Sequence, residues 1–537
     1  MSNYPMLQAH RGVSSEYPEN TMAAFRAAAA QGYGVIELDP NYTADGEIVV
    51  LHDTTVNRTA RLPGGAPIPE PLTIASLTYE EALAYDYGCG FAPRFRGEKL
   101  PLLKDALELA QESGIIIKID SKIERFPEEM FRKLLDLLRS RQPQVALTSG
   151  SVERLQAYAR ELPEAQLHYD GPVDEAVLEK LAPLGQRLTV WLPDRSPLTD
   201  WVRVPFAEGA MCAAVKRFAR LGIWIIGDEV SFDRVCRDYA PDIVETTGII
   251  KPIRNRGLLC DTHVHSQNSH DSQCPVERTA EAAVEKGIAC FSITDHCDIQ
   301  YFRERPVKIW IAASVREAEE AAKAFAGRVS VLTGIELGEA IWDPEGADEM
   351  LSQHPYDVVI GSVHAVRYKD RRQAYSRIDF SAFTREELAE YMEQYFVDVR
   401  EMLETIPCDI MAHLTCPLRY INGKYGLQMD VHRFEPQIRK ILAYIIDHAI
   451  ALEINTSCLG SAYDSFMPEE WIVALYREMG GYLVTLGSDA HAAENLGKGF
   501  SEALALLRKY GFRNYYFYRD RIGIPCAVLH RSSKNGQ

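Results

Sequence analysis

The chain of 537 residues has no surplus of positive charge. It carries 58 Lys and Arg against 76 Asp and Glu, a formal net charge of −18 with pI about 5.3. A protein that tracks a nucleic-acid backbone needs a basic surface, so no nucleic-acid partner is expected. A small phosphorylated substrate is still compatible, because bound metals can supply local positive charge. There is no apolar run long enough to span a bilayer, so no membrane span is expected. The opening MSNYPMLQAHRG lacks both a basic and an apolar leader region, so no secretory signal is expected. The 11 cysteines contain no CxxC pair; Cys274, Cys290 and Cys297 lie close together but lack zinc-site spacing. Reduced thiols in a cytoplasmic protein are the reading. Fixed-period repeats and low-complexity tracts are also missing, which excludes a solenoid.

What is present is an alternation of short β-branched runs and amphipathic helical stretches, the pattern of parallel strands with crossover helices. A barrel of such units takes roughly 250 residues, so two fit this length. In the first half the runs are MLQAH, GVIELD, IVVLHD, IIIKID, VALTSG, QLHYD, LTVWLP, IWIIGD and DIVETT. These nine exceed the eight places of a closed barrel, so at least one lies outside it. The Ala-rich stretch Thr21 to Gln31 predicts a helix stopped by Gly32. In the second half the runs are LLCDTHVH, IACFSITDH, VSVLTGIEL, DVVIGSVH, DIMAHLT, ALEINTS and YLVTLGSDAH, which make seven units. A helix from Pro275 to Gly287 is predicted between the first two. Pro, Gly and basic residues cluster at 249–257, which sets domains at 1–252 and 258–530.

Nearly every run of the second half ends in a metal-ligand residue type. In order these are Asp261, His263, His265 and Asp271; Asp295 and His296; Glu336; His364; His413; and Asp489 with His491. Parallel strands of a barrel bring such ends to one face. His263 and His265 sit two apart and share one side of a strand, as do Asp489 and His491. Imidazole and carboxylate without thiolate suit manganese, zinc or iron.

The segments DTHVHSQNSHDS, SITDHCD, TGIEL, GSVHAV, AHLT, LEINTS and GSDAH, in this order over about 260–492, resemble the PHP (polymerase and histidinol phosphatase) superfamily, and most its histidinol-phosphatase-like branch. The resemblance implies an α/β fold, a distorted (β/α)7 barrel with three metal ions. It implies His263, His265, Glu336 and Asp489 on the first ion, Glu336 with His364 and His413 on the second, and Asp271, His296 and His491 on the third. His270 is the neighbouring alternative to Asp271. Arg419, in CPLRY, matches a residue that faces the substrate phosphate. Clustered metals clamp phosphoryl oxygens and make hydroxide available near neutral pH, so hydrolysis of a phosphate monoester, or of a cyclic phosphate, is expected.

The first half carries His10, Arg11, Glu19, Glu37, Asp39, His52, Asp53, Asp120 and Lys122 at or after its runs. Glu37 and Asp39, two apart, can share one face and grip a hard divalent cation. Two histidines can act as base and acid across a phosphodiester, and Arg11 and Lys122 can neutralise its phosphate. AHRGVSSEYPENTMAAF, IELDPNYTADGEIVVLHDTTVNRT and LPLLKDAL resemble glycerophosphodiester phosphodiesterases, densely over 5–107 and thinly to 252. That resemblance implies an eight-unit (β/α)8 TIM-like barrel using one magnesium or calcium ion. It implies His10 and His52 as general base and acid, Glu37, Asp39 and Asp120 as metal ligands, Arg11 as a phosphate contact and Lys122 as its helper. The chain departs from that family at Asp120, where Glu is usual, at WIIGD (224–228), and at Glu245–Thr246.

The expectation is a bifunctional hydrolase acting on a small phosphorylated substrate, with a diesterase and a monoesterase in tandem at high effective concentration. The alternative keeps only the second barrel catalytic, with the first as a substrate-binding or assembly module. A role beside a polymerase, known for PHP domains, is disfavoured by the acidic charge. Oligomeric state is not legible in the sequence.

Overall fold

A computed structural model describes residues 5–196, 199, 202–252, 255, 257–369 and 373–528. The chain divides into two units, Met1–Pro252 and Ile253–Gln537.

In the first unit the apolar runs form β1 (Met6–His10), β2 (Val35–Leu38), β3 (Pro40–Tyr42), β4 (Ile48–Val50), β5 (Ile116–Ile119), β6 (Val145–Ser149), β7 (Gln166–Tyr169), β8 (Leu188–Pro193), β9 (Arg220–Ile226) and β10 (Ile243–Thr246). Eight of them close a parallel barrel in the order β1-β10-β9-β8-β7-β6-β5-β2. The surplus run is IVVLHD: β4 pairs antiparallel with β3 in a hairpin outside the barrel. Leu51 N donates to Asp39 O at 2.8 Å and Asn41 Nδ2 to Asp53 O at 3.1 Å, so the hairpin brings His52 back to the segment that follows β2. The helix Met22–Gln31 begins at Thr21, whose side chain accepts from Ala24 N, and ends at Gly32 in the left-handed region. The barrel interior buries an unusual set of polar side chains, among them Gln8, Lys118, Thr148, His168, Thr189 and Glu245.

In the second unit the predicted runs form β11 (Cys260–Val264), β12 (Cys290–Ile293), β13 (His296–Asp298), β14 (Ser330–Gly338), β15 (Val358–Ser362), β16 (Ile410–Met411), β17 (Ala451–Asn455) and β18 (Val484–Gly487). The sheet order is β11-β12-β14-β15-β16-β17-β18, all parallel, with β13 paired to the far half of β14. The segment after β18 returns to β11: Asp489 N donates to His263 O and His265 N to Ala490 O, both at 2.9 Å. Two strands were not foreseen, β19 (Asn514–Arg519) and β20 (Ile522–Ala527), an antiparallel hairpin beside β18. The helix after β11 spans Val276–Lys286; Pro275 is its N-cap rather than its first turn, and Gly287 caps its end. No helix of the described residues is long and apolar enough to cross a membrane.

Candidate active sites

In the first unit the strand ends deliver one acid cluster. Glu37 near the end of β2, Asp39 just after it and Asp120 just after β5 each offer an oxygen within 4.8 Å of the others. The turn that holds Arg11 is strained: φ is 58° at Arg11 and 82° at Gly12. A Cβ at Gly12 would lie 2.6 Å from that of Ala24, so the HRG turn admits glycine there. Arg11 N then donates to Glu37 Oε2 at 3.1 Å, Arg11 Nε lies 3.2 Å from Asp39 Oδ2, and Arg11 Nη1 reaches Glu19 at 3.0 Å. Lys122 Nζ bridges Asp39 Oδ1 at 2.5 Å and Asp120 Oδ1 at 3.2 Å. His10 Nε2 is 3.8 Å from Glu37, and His52 Nδ1 is 2.5 Å from Asp53 Oδ1. Asp53 is in turn held by Arg58 Nε at 2.6 Å. All the predicted first-half residues except Glu19 and Asp53 line one cavity of about 600 Å³.

The two leading carboxylates are driven apart. Burial lifts Glu37 well above the usual carboxylate range, reinforced by Asp39 and Glu245. Burial works against charge on Asp39 too, but Lys122 and Arg11 overcome it and hold its carboxyl at about 2. Burial lowers His10 below the ordinary histidine value, leaving a neutral ring at neutral pH. The all-oxygen acid cluster fits a hard divalent cation. The cavity also holds Lys118, Asp170 and Trp191, which sequence reasoning passed over, and Trp224 and Glu245 from the two late segments that depart from the diesterase pattern. A charge inside the run IIIKID was the available signal for Lys118.

In the second unit the residues of the three predicted ligand sets lie near one another, but the ligand groups cut across those sets. His265 stands with His296 and His491 as well as with His263 and Asp489, and Asp271 belongs to none of the groups among the described residues. His263 and His265 lie 3.5 and 3.7 Å from Glu336 and 3.8 and 3.2 Å from Asp489. Glu336 Oε1 lies 3.2 Å from His364 Nε2 and 3.0 Å from His413 Nε2. Asp271 Oδ2 lies 3.2 Å from His491 Nε2 and 3.5 Å from His296 Nε2. His270 stands beside them, 3.9 Å from both Asp271 and Asp298. Arg419 opens a π-helical turn, Arg419–Lys424, on the wall of the same cavity, whose volume is about 350 Å³.

Most rings are oriented from behind. His263 Nδ1 meets Glu453 at 2.7 Å, His265 Nδ1 meets Ser269 Oγ at 3.1 Å, His491 Nδ1 meets Asp489 O at 2.9 Å, and His364 Nδ1 lies 3.5 Å from Asp298. Each Nε2 is thereby left for the centre. His263 and His265 face each other Nε2 to Nε2 at 3.1 Å, and His364 and His413 at 3.4 Å. Pairs of ring nitrogens turned on one point, with the carboxylates of Glu336 and Asp489 among them, fit divalent cations. Burial opposes charge on Glu336, but the fields of His296, His364 and His263 hold it well below the carboxylate range. His265 is lowered to about 3 by burial and by His491 and His296. His413 and Asp489 are held at φ 22° and 52°, strained backbone that only a functional or packing demand sustains.

Sequence reasoning missed Asp298 and Glu453. Asp298 forms a candidate ligand group with His296 and His364; its two-residue spacing from His296 on β13 was the available signal. Glu453 is fully buried in the apolar run ALEINTS, and its second oxygen accepts from His413 N at 2.7 Å. Two ligand-type residues face elsewhere. Asp261 accepts from Ser488 N and Gly497 N at 3.0 Å, and Asp295 from Ser266 N and Oγ at 2.6 Å.

Residues 10–181 match the model of the glycerophosphoryl diester phosphodiesterase family, and residues 261–457 that of the PHP domain. The chain is 27% identical over 266 residues to a Clostridium acetobutylicum protein named "Probable histidinol-phosphatase", covering 48% of this chain and 97% of that one. It is 40% identical over 114 residues to the glycerophosphodiester phosphodiesterase of Caldanaerobacter subterraneus, 21% of this chain and 44% of that relative, so it spans less than half of that relative's length. Among solved structures, the histidinol phosphate phosphatase of Lactococcus lactis, complexed with zinc, L-histidinol and phosphate, aligns with a TM-score of 0.43 at 20% identity over 49% of this chain and 98% of that one. The chain is a fusion of a glycerophosphodiester phosphodiesterase-family domain with a PHP domain, and by both memberships a phosphoric ester hydrolase.

Proposed function

We propose that the chain is a bifunctional phosphoesterase: residues 1–252 hydrolyse a phosphodiester, and residues 258–530, a distorted seven-unit barrel, hydrolyse a phosphate monoester or cyclic phosphate at a site for three metal ions. The observation that carries this reading is the presence of two separate cavities, each lined by an acid cluster and histidines at strand ends. A small phosphorylated substrate, one magnesium or calcium ion in the first site and manganese, zinc or iron in the second complete the proposal. The eleven free cysteines suit a cytoplasmic location.

In the first site the neutral His10 is suited to accept the proton of attacking water. Asp53 fixes the His52 ring through Nδ1, so that Nε2 can give a proton to the leaving alkoxide. Arg11 and Lys122 place positive charge beside the acids, where the phosphate would lie. In the second site Glu453, Ser269 and Asp298 orient the rings, and Arg419 extends the cationic wall that would face the phosphate. When bound, divalent ions supply Lewis acidity that draws phosphoryl charge.

The full chain, supplied with manganese and magnesium, should release free phosphate from a glycerophosphodiester. His52→Ala should cut diester cleavage by about 100-fold or more and spare p-nitrophenyl phosphate turnover. Asp489→Ala should do the reverse. Diester cleavage that survives His52→Ala would reduce the first unit to a binding module.

A further inference from the structure

The interior of the first barrel holds an ammonium group that no role above uses. Lys118, in the middle of β5, is 7% exposed and lines the same cavity as His10, Glu37 and Asp39. In the parallel register it sits opposite Glu37 of β2. Its position is unlike that of the other two cations at the cluster. Lys122 is committed to Asp39 and Asp120 at 2.5 and 3.2 Å, and Arg11 to Glu19 and Asp39 at 3.0 and 3.2 Å. The only carboxylate of the described residues within 4 Å of Lys118 Nζ is Glu245, at 3.6 Å, too far for a strong hydrogen bond. Glu245 belongs to β10 and accepts from Gln8 Nε2 of β1, so it is itself fixed. The ring of Trp191 lies 4.5 Å from Nζ and closes one side.

A buried ammonium strongly demands acceptors, because its N–H groups are out of water. Within 4 Å the described residues offer one distant carboxylate, beside an aromatic face, with Glu37, Asp170 and Asp120 acting from farther off, and Lys118 lines the cavity. Glu245 is also one of the positions where the chain departs from the pattern of the diesterase family. The two residues therefore form a charge pair between β5 and β10, beside the acid cluster.

We propose that Lys118 is a substrate-binding residue of the first site, its ammonium donating to an anionic oxygen of the phosphodiester while Glu245 holds it in place. The inference rests on the diesterase reading of this cavity. It makes Lys118 a determinant of substrate binding, distinct from the acid–base pair and from the acid cluster.

The test uses the full chain, bis(p-nitrophenyl) phosphate as substrate and inorganic phosphate as competitive inhibitor. Lys118→Met should raise KM and the inhibition constant of phosphate about tenfold or more, as expected for a lost charge-assisted hydrogen bond. Bound metal, measured by elemental analysis, should be unchanged. Lys118→Met with Glu245→Gln removes both charges, leaves no lone carboxylate, and should show the same loss. Lys118→Arg should recover part of the binding. If the double variant folds and binds phosphate within twofold of the wild type, Lys118 is a counter-ion of the barrel and the inference is overturned. If diester cleavage is absent, or survives His52→Ala, the diesterase reading itself fails and the inference falls with it.

Discussion

Two acids spaced two residues from a metal-type histidine end in different places. Asp261 precedes His263 on β11, and strand alternation would put both on one face. The register of β11 against β12 shifts between Asp261 and Val264, and Asp261 turns to the amides of Ser488 and Gly497. Asp298 follows His296 on β13, where alternation is unbroken, and reaches His364. Asp170, at the end of β7, gives a residue-scale prediction. Burial, reinforced by Asp120 and opposed by Lys118, lifts its carboxyl from 3.8 to about 6. A carboxyl raised on folding stabilises the fold below its unfolded value, and that contribution is lost as pH rises through the folded value. The wild type should therefore lose stability relative to Asp170→Asn between about pH 4 and pH 6, on the order of 2 kcal/mol. Denaturant midpoints of both proteins across that range check it; a pH-independent difference would rule it out.

At the scale of elements, the second site depends on how closely β18 approaches β11 and β17. Gly487 ends β18. A Cβ there would lie 2.0 Å from Glu453 Oε1 and 2.9 Å from the Cβ of His263. Gly487→Ala must push Glu453 away from His263 Nδ1, and with it the support that Glu453 gives to His413. Loss of an outer partner of this kind lowers metal affinity by roughly 10–100-fold. Elemental analysis after dialysis should show less metal bound, monoesterase activity should fall, and diesterase activity should stay within twofold. The β3–β4 hairpin plays the corresponding part in the first unit. Its run IVVLHD reads like a barrel strand, since three apolar β-branched residues carry no signal of whether the partner is parallel or antiparallel.

At the scale of the whole molecule, the two units have different means of holding charge. The acids of the first cluster are countered by Arg11 and Lys122. In the second, the buried Glu336 and the half-buried Asp489 face rings already turned toward a common centre. Calorimetry of the full chain should show two transitions. A chelator should lower the one that belongs to the second unit by about 10 °C or more and the other by less, because ligand binding to the native state adds directly to its stability. Asp489→Ala should abolish most of the chelator response; equal shifts of both transitions would refute the distinction.

The sequence by itself determined the α/β alternation, the break near residue 252 and the ligand residue types that stand at the strand ends, because a strand's period and a ligand's chemistry are local properties. It carried the family resemblance for the same reason, since motifs such as DTHVH and GSDAH are contiguous. The tertiary structure alone decided which of nine runs stays out of the first barrel, and that Glu453 and Asp298 stand behind histidines far away in the chain. It also decided that Lys118 meets Glu245 across the barrel. Those facts depend on register, closure and the approach of strands far apart in the chain, which residue type and spacing do not encode.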